Sequence, residues 1–393
     1  MKILYIVPAY LPAYRYGGPI KSDHYRNKWL VKKGVEVSVY TTDIDGPNSL
    51  KVPLGTPVDV DGVRVFYFKG SFPRAWFYSR DLHRALKENI KDFDMVHITS
   101  VFLSASALGA YYAKKFNKPY IISPRGSLMK EPLALKSHIK KKFYIALLEN
   151  NNLRDATAIH FTAPIEEEEY KAQGLPLRQG IVIPNSFDED DFKEVQDTRP
   201  EVFRDKFNIG KDIKIILFLS RISWKKGLDT LIPALSLIIK KEPKALLVIA
   251  GGDDEGYKKK VEELINKHGL RSSVVFTGML LGRDLVAAYK SSSVFVLPSY
   301  SENFAMSVVE AMYFRVPVVV TKHVGVAPSV QNSVAGIVIE KNESELSESI
   351  LNILQNPEKS REMGERGRLS VLKEFSAPSV ADHFLAAYNK LVN

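Results

Sequence analysis

The sequence predicts an α/β protein built of two doubly wound domains that face each other across a cleft. Three observations carry this. Short β-branched apolar runs alternate with amphipathic helical stretches along the whole chain. Strands apolar throughout need both faces covered, as in parallel sheets flanked by helices. These runs fall into two series, and 393 residues exceed what one ordinary core accommodates.

The first series is Lys2–Val7, Glu36–Thr41, Val63–Phe68, Met95–Ile98, Tyr120–Ile122, Ala158–Phe161 and Gly180–Ile183. The second is Ile213–Leu219, Ala245–Ala250, Val274–Thr277, Val294–Leu297, Pro317–Thr321 and Gly336–Ile339. Between them the acidic, turn-rich stretch Ser186–Pro200 reads as the joint, giving domains over 1–195 and 196–375. A helical period over Phe375–Val392 comes well after the last strand. A terminal helix over about 376–393 that crosses back onto the first domain accounts for it. Ligands of open parallel sheets bind at the carboxyl ends of the strands, so the cleft is the expected site.

Composition narrows the classes. No cysteine is present, which excludes disulfides and thiolate metal sites and fits a reducing cytoplasm. The opening MKILYIVPAYLP is interrupted by Pro8 and Pro12 and lacks a small-residue cleavage site, so it reads as a buried strand rather than a leader. The longest apolar runs fall far short of the roughly 20 residues of a membrane span.

The net charge of +10 is uneven: from Arg64 to Lys142 there are 16 Lys and Arg against 5 Asp and Glu. That surplus suits an anionic partner, or simply a solvated basic face. Pro132–Leu153 places Leu133, Leu135, Ile139, Phe143 and Leu147 at helical spacing beside Lys136 and Lys140 to Lys142. Such a helix either packs on the core or lies on an anionic membrane. No nucleic-acid motif accompanies the basic region. Glu166 to Glu169 lacks metal-ligand spacing and reads as a solvated helix face.

Three segments could carry chemistry. Ser299–Met312, SYSENFAMSVVEAM, follows a strand closed by Pro298; Asn303 or Ser301 can cap a helix from about Phe304 to Phe314. Its free N–H groups would meet a diphosphate. Glu302 would sit in the loop, and Glu310 about two turns inside the helix, where a carboxylate can accept two ribose hydroxyls. Alternatively Glu302 belongs to the cap and Glu310 to the surface. Ser220–Gly227, SRISWKKG, offers Arg221 and Lys225 or Lys226 at a strand end, suited to two phosphates or to an exposed basic turn. Ala13–Pro19, AYRYGGP, sets Gly17 and Gly18 at the first strand-to-helix turn. It is neither a dinucleotide fingerprint nor a P-loop.

Together, Glu302-x7-Glu310 in its S-x-E-N-F-A context, SRISWKKG, Ile183–Asp188 (IPNSFD) and the early glycine pair resemble family 4 of the glycosyltransferases. Members have the GT-B fold of two Rossmann-like domains, and the likeness to exopolysaccharide and surface-polysaccharide enzymes spans nearly the whole chain. The resemblance implies retaining transfer of a hexose from a nucleoside-diphosphate sugar, usually without a metal. The nucleotide sugar is then a substrate rather than a cofactor. It assigns Arg221 and Lys226 to the diphosphate, Glu302 to the sugar hydroxyls, Glu310 to the ribose, and Phe304 and Ala305 to backbone contacts beside Asn303. Gly278 and Met279 would hold the base, and Gly17 and Gly18 would approach the phosphate or sugar. Asn185 matches a hinge asparagine.

Two departures stand out. The family's H-x-H becomes His97 and Thr99, so His97 reads as structural rather than catalytic. The glycine usual after Asn-Phe is Ala305. SPRGSL places Arg125 near donor phosphate or an anionic acceptor. By family frequency the donor is UDP-glucose or a similar UDP-hexose, and the acceptor a saccharide or lipid-linked saccharide, reached from the cytoplasm; peripheral contact of the basic N-terminal domain with an anionic membrane is the accompanying expectation. A sugar-nucleotide epimerase and a non-catalytic sugar-nucleotide subunit are the alternatives.

Overall fold

A computed structural model describes residues 1–134, 144–253 and 256–392. The chain divides into two compact units: Met1–Ser186 together with the tail from Ala377, and Phe187–Ser376.

The first unit holds an eight-stranded sheet in the order β10-β9-β8-β7-β1-β2-β6-β5. Its strands are β1 (Lys2–Ile6), β2 (Glu36–Thr42), β5 (Pro57–Val60), β6 (Val63–Phe68), β7 (Met95–Thr99), β8 (Tyr120–Ser123), β9 (Ala158–Phe161) and β10 (Gly180–Val182). All neighbours are parallel except β5 and β6. The small antiparallel pair β3 (Ile44–Asp45) and β4 (Asn48–Ser49) stands apart.

The alternation of side chains along β1 explains why its sequence is apolar throughout. Leu4 and Ile6 pack on one face with Val96, Ile98 and Ile122. Ile3 and Tyr5 pack on the other with Val37, Val39 and Met95. The second face is completed by Val380, Phe384 and Tyr388 of the terminal helix Ala377–Val392.

The second unit holds six strands, all parallel, in the order β13-β12-β11-β14-β15-β16. They are β11 (Lys214–Leu219), β12 (Ala245–Ala250), β13 (Val274–Gly278), β14 (Ser292–Leu297), β15 (Val318–Thr321) and β16 (Gly336–Ile339). Every strand expected from the apolar runs forms. Those without such a run were not expected: β3, β4 and the edge strand β5, whose first residue is a proline, as an edge position allows.

The units part at Ser186/Phe187 rather than at 195/196. The acidic stretch conceals two aromatic anchors. Phe187 packs on Tyr313 with ring centroids 4.6 Å apart, and Phe192 on Phe314 at 5.2 Å. The Phe187 N–H also donates to the Phe375 carbonyl at 2.7 Å. The basic helix expected over Pro132–Leu153 lies partly outside the described residues; Leu135, Lys136 and Ile139 through Phe143 fall there. Among the described residues no helix is long and apolar enough to cross a membrane.

Candidate active site

In the second unit β11 and β14 are neighbours, so the loops that leave their carboxyl ends meet although they are distant in sequence. The loop after β11 makes a short turn over Trp224–Lys226 and is closed by Gly227 at φ +74°. A Cβ at Gly227 would run into the Pro298 carbonyl oxygen at the end of β14. Only glycine satisfies both demands. The Tyr300 N–H then donates to the Lys225 carbonyl at 2.8 Å. This stitching brings the Lys226 ammonium onto the Glu302 carboxylate as an ion pair, with both side chains mostly buried.

The loop holding Glu302 is fixed on its other side by the turn after β15. Glu302 N–H donates to His323 at 3.0 Å, and its carbonyl accepts from Gly325 N–H at 2.9 Å. The Thr321 hydroxyl donates to the Ser299 carbonyl at 2.6 Å. The helix that follows runs over Met306–Tyr313 and not from Phe304. Neither Asn303 nor Ser301 caps it; Ala305 occupies the cap position at φ +80°, with no side-chain hydrogen bond to the first turn. Phe304 is held instead in the loop, its carbonyl accepting from Val326 N–H at 3.2 Å. Left-handed backbone costs a residue with a Cβ about 1–2 kcal/mol, which explains why glycine is usual here. Buried Asn303 Oδ1 has no partner among the described residues.

The later start places Glu310 about one turn, roughly 6 Å, beyond the first helical residue, rather than two turns. Its Oε2 accepts from the Tyr289 hydroxyl at 2.8 Å. Tyr289 is fully buried on the helix Gly282–Ser291, and burial followed by the Glu310 charge pushes its pKa well up. The phenol therefore stays a donor and fixes the carboxylate. Nothing in the sequence singled out Tyr289, which occupies an ordinary core-facing position of an amphipathic helix.

Tyr300 is a second support that the sequence did not reveal. Its hydroxyl donates to Asp229 at 2.5 Å, and Lys341 lies over its ring at 3.3 Å. A third is Gly251 at φ +146°, where a Cβ would meet the Ser220 carbonyl oxygen. The Ile222 N–H donates to the Gly252 carbonyl at 2.8 Å, so the pair after β12 shapes the loop that carries Arg221. Two glycines directly after a strand were the available signal. Arg221 is exposed, without a side-chain partner among the described residues. At the end of β13, Gly278 has φ +72° and Met279 is 69% exposed.

The candidates in the first unit are placed differently. Gly17 (φ +76°) precedes the helix Gly18–Lys32, which has Pro19 in its first turn and no capping side chain. His97 is fully buried with both ring nitrogens engaged. The proton directions follow from its neighbours. His160 Nε2 faces the Ile183 carbonyl at 2.8 Å and must donate. Its Nδ1 then accepts from the Ser123 hydroxyl at 2.6 Å. Ser123 Oγ in turn accepts from His97 Nε2 at 2.7 Å, leaving His97 Nδ1 to accept from the Tyr388 hydroxyl at 2.6 Å.

Both imidazoles are neutral, in keeping with pKa values that burial and nearby Arg26 and Arg125 drive well down. His97 thus keeps no atom with which to meet a ligand. Thr99 is buried and hydrogen-bonded to the Tyr5 hydroxyl. Arg125, its side chain 8% exposed, pairs with buried Asp23 and donates to Asn185 Oδ1. These three support the interior of the first unit. Among the described residues no group of three or more His, Asp or Glu side chains is placed to hold a metal.

The six-stranded unit therefore presents an ion pair, an uncapped helix terminus and a braced carboxylate along one sheet edge. Comparison with known proteins identifies the arrangement. Residues 27–186 match the family described as glycosyl transferase 4-like domain, and residues 200–370 the glycosyl transferases group 1. An uncharacterized glycosyltransferase of Methanocaldococcus jannaschii is 25% identical, over 91% of this chain and 90% of its own. The O-antigen chain mannosyltransferase C of Escherichia coli is also 25% identical, over 100% and 98%. Among solved structures, Anabaena HepE in complex with UDP-glucose superposes with a TM-score of 0.76 at 18% identity, covering 99% of this chain and 100% of that one. The architecture is GT-B, two Rossmann-like domains. The chain belongs to family 4 of the glycosyltransferases.

Proposed function

We propose that this enzyme is a retaining hexosyltransferase that takes its sugar from a nucleoside-diphosphate hexose, UDP-glucose or a close relative. The acceptor is a saccharide or lipid-linked saccharide in polysaccharide synthesis, reached from the cytoplasm at the inner face of the membrane. The observation that carries the reading is the Lys226–Glu302 pair, set one helix terminus away from Glu310.

Cleaving the bond from the anomeric carbon to the diphosphate leaves negative charge on the departing oxygen. Lys226 and Arg221 supply positive charge there, and the first N–H groups of the Met306 helix add to it. A cationic pair of this kind does the work that a divalent metal does elsewhere, so the reaction is assigned no metal. Glu302, released from Lys226 as phosphate arrives, accepts from sugar hydroxyls. Glu310, held by Tyr289, accepts from the ribose. Gly278 and Met279 border the base, and Asn303 offers its unpartnered oxygen. The acceptor attacks on the face the diphosphate leaves. Its proton passes to the leaving phosphate oxygen, so configuration is retained and atoms balance. The UDP-glucose complex of HepE supports the choice of nucleotide.

Thermal unfolding with UDP, GDP and ADP tests the donor site. Binding at a hundred times Kd stabilises by about 2.7 kcal/mol, and UDP is expected to give the largest rise in Tm. No rise with any of the three at millimolar concentration overturns the reading. Incubation with UDP-glucose then separates transfer or slow hydrolysis from interconversion of sugars, which would mark an epimerase.

A further inference from the structure

The first unit carries a surface that donor chemistry leaves unused. The loop before the helix Arg80–Asn89 exposes two aromatic rings: Phe72 is 90% exposed and Trp76 61%. Its backbone is nevertheless firmly held. Ser71 N–H donates to the Tyr78 carbonyl at 2.7 Å, and the Ser104 hydroxyl to the Trp76 carbonyl at 2.8 Å. Arg74 reaches back to the Asn48 carbonyl at 2.5 Å, and Phe77 packs on Tyr16 at 5.8 Å. Large rings left in water are unfavourable unless something covers them.

The helix that follows supplies the second observation. Arg80, Arg84 and Lys87 are spaced by four and three and lie on one face of the helix, and Lys91 follows in the short turn Ile90–Asp92. All four are exposed, and none has a side-chain hydrogen bond or ion pair among the described residues. Asp81 and Glu88 stand about a quarter-turn around the helix from this stripe. The helix is capped by Ser79, whose side chain accepts from Leu82 N–H, so the stripe begins directly beside the aromatic loop.

We propose that Phe72, Trp76 and the Arg80–Arg84–Lys87 face form a docking surface for an anionic lipid bilayer. Amphipathic rings lodge at the level of the headgroups, while unpaired cations meet the negative surface. A single-stranded nucleic acid fits less well, because base stacking needs rings that line a groove, and a ring nine-tenths exposed projects. The proposal adds to the glycosyltransferase reading the place at which the enzyme meets a membrane. It does not depend on donor identity.

Co-sedimentation of the full chain with vesicles of POPC, or of POPC with one quarter POPG, tests it. Binding is expected only to the POPG vesicles, weakened by 0.5 M salt. Each surface cation contributes about fivefold, so R80Q/R84Q/K87Q should weaken binding roughly 100-fold. F72S/W76S should weaken it roughly tenfold and abolish the blue shift of tryptophan emission on vesicle addition. Both variants should keep the wild-type Tm and its nucleotide-induced rise, which separates failure of this surface from failure of the donor site. The proposal is overturned if wild-type protein stays in the supernatant with POPG vesicles, or if either variant binds as wild type does. Tighter binding to oligothymidylate than to vesicles also overturns it.

Discussion

In the first unit the strands β7, β8 and β9 and the loop after β8 turn their polar groups inward. His97, Ser123, His160 and Tyr388 form one directed chain of hydrogen bonds, and Arg125 is locked between Asp23 and Asn185. The equivalent edge of the second unit, after β11 and β14, leaves Arg221 in solvent and Lys226 and Glu302 partly so. Both units are doubly wound sheets. The difference shows that architecture places a sheet edge, whereas the burial of its charges decides whether that edge is scaffold or site.

The largest effect that would sharpen this contrast is on stability in the first unit. Arg125→Ala leaves the buried Asp23 carboxylate with Arg26 as its remaining partner and should cost about 3 kcal/mol in denaturant unfolding, the low end for breaking a buried ion pair. UDP affinity of the folded fraction should not change; a selective loss of that affinity would return Arg125 to the site. Lys226→Ala should act oppositely, lowering turnover about 100-fold, roughly 3 kcal/mol in the barrier, with little loss of stability. Wild-type kcat in that variant would break the comparison at its centre.

Next comes pH. His97 and His160 have folded pKa values well below the unfolded value near 6.5. The unfolded chain therefore binds more protons below that value. Their contribution is complete above pH 6.5 and declines as pH falls, by at most about 1.4 kcal/mol per unit for each ring. The melting temperature should drop from pH 7 to pH 5. Buried Glu149 and Glu166, whose pKa values burial raises, act in the opposite sense, their contribution growing as pH falls through the raised value. A flat profile would mean that the imidazoles are not sealed in. The smallest effect is Tyr289→Phe, which removes one hydrogen bond to Glu310 and should weaken UDP binding by about 1 kcal/mol, near fivefold. If kcat falls while KM holds, Tyr289 does not act by positioning that carboxylate.

Much of this was legible in the residues, and what was not has identifiable causes. The parallel strands declared themselves because burial on both faces demands unbroken apolar runs. β5 escaped because an edge strand opening with Pro57 has no such run. Glu302, Glu310 and Lys226 could be picked out because Glu302-x7-Glu310 and SRISWKKG follow buried strands and together resemble the family's pattern; each segment alone was ambiguous. The helix start was misplaced because Asn303 and Ser301 are good caps in isolation. The loop is instead held by His323 and Gly325, partners from another strand end that local sequence cannot reveal. Tyr289 and the Tyr300–Asp229–Lys341 cluster stayed hidden for the same reason: their role exists only across strands and helices far apart in the chain.

The terminal helix carries a consequence for how the protein is made. Val380, Phe384 and Tyr388 belong to the interior of the first unit, and the Tyr388 hydroxyl begins the proton chain that passes through His97. A ribosome therefore completes the second unit before it delivers the last piece of the first. Until the final residues emerge, the earlier half waits with one face of its sheet uncovered. A nascent chain stalled short of Val380 exposes that face to any chaperone at the exit tunnel.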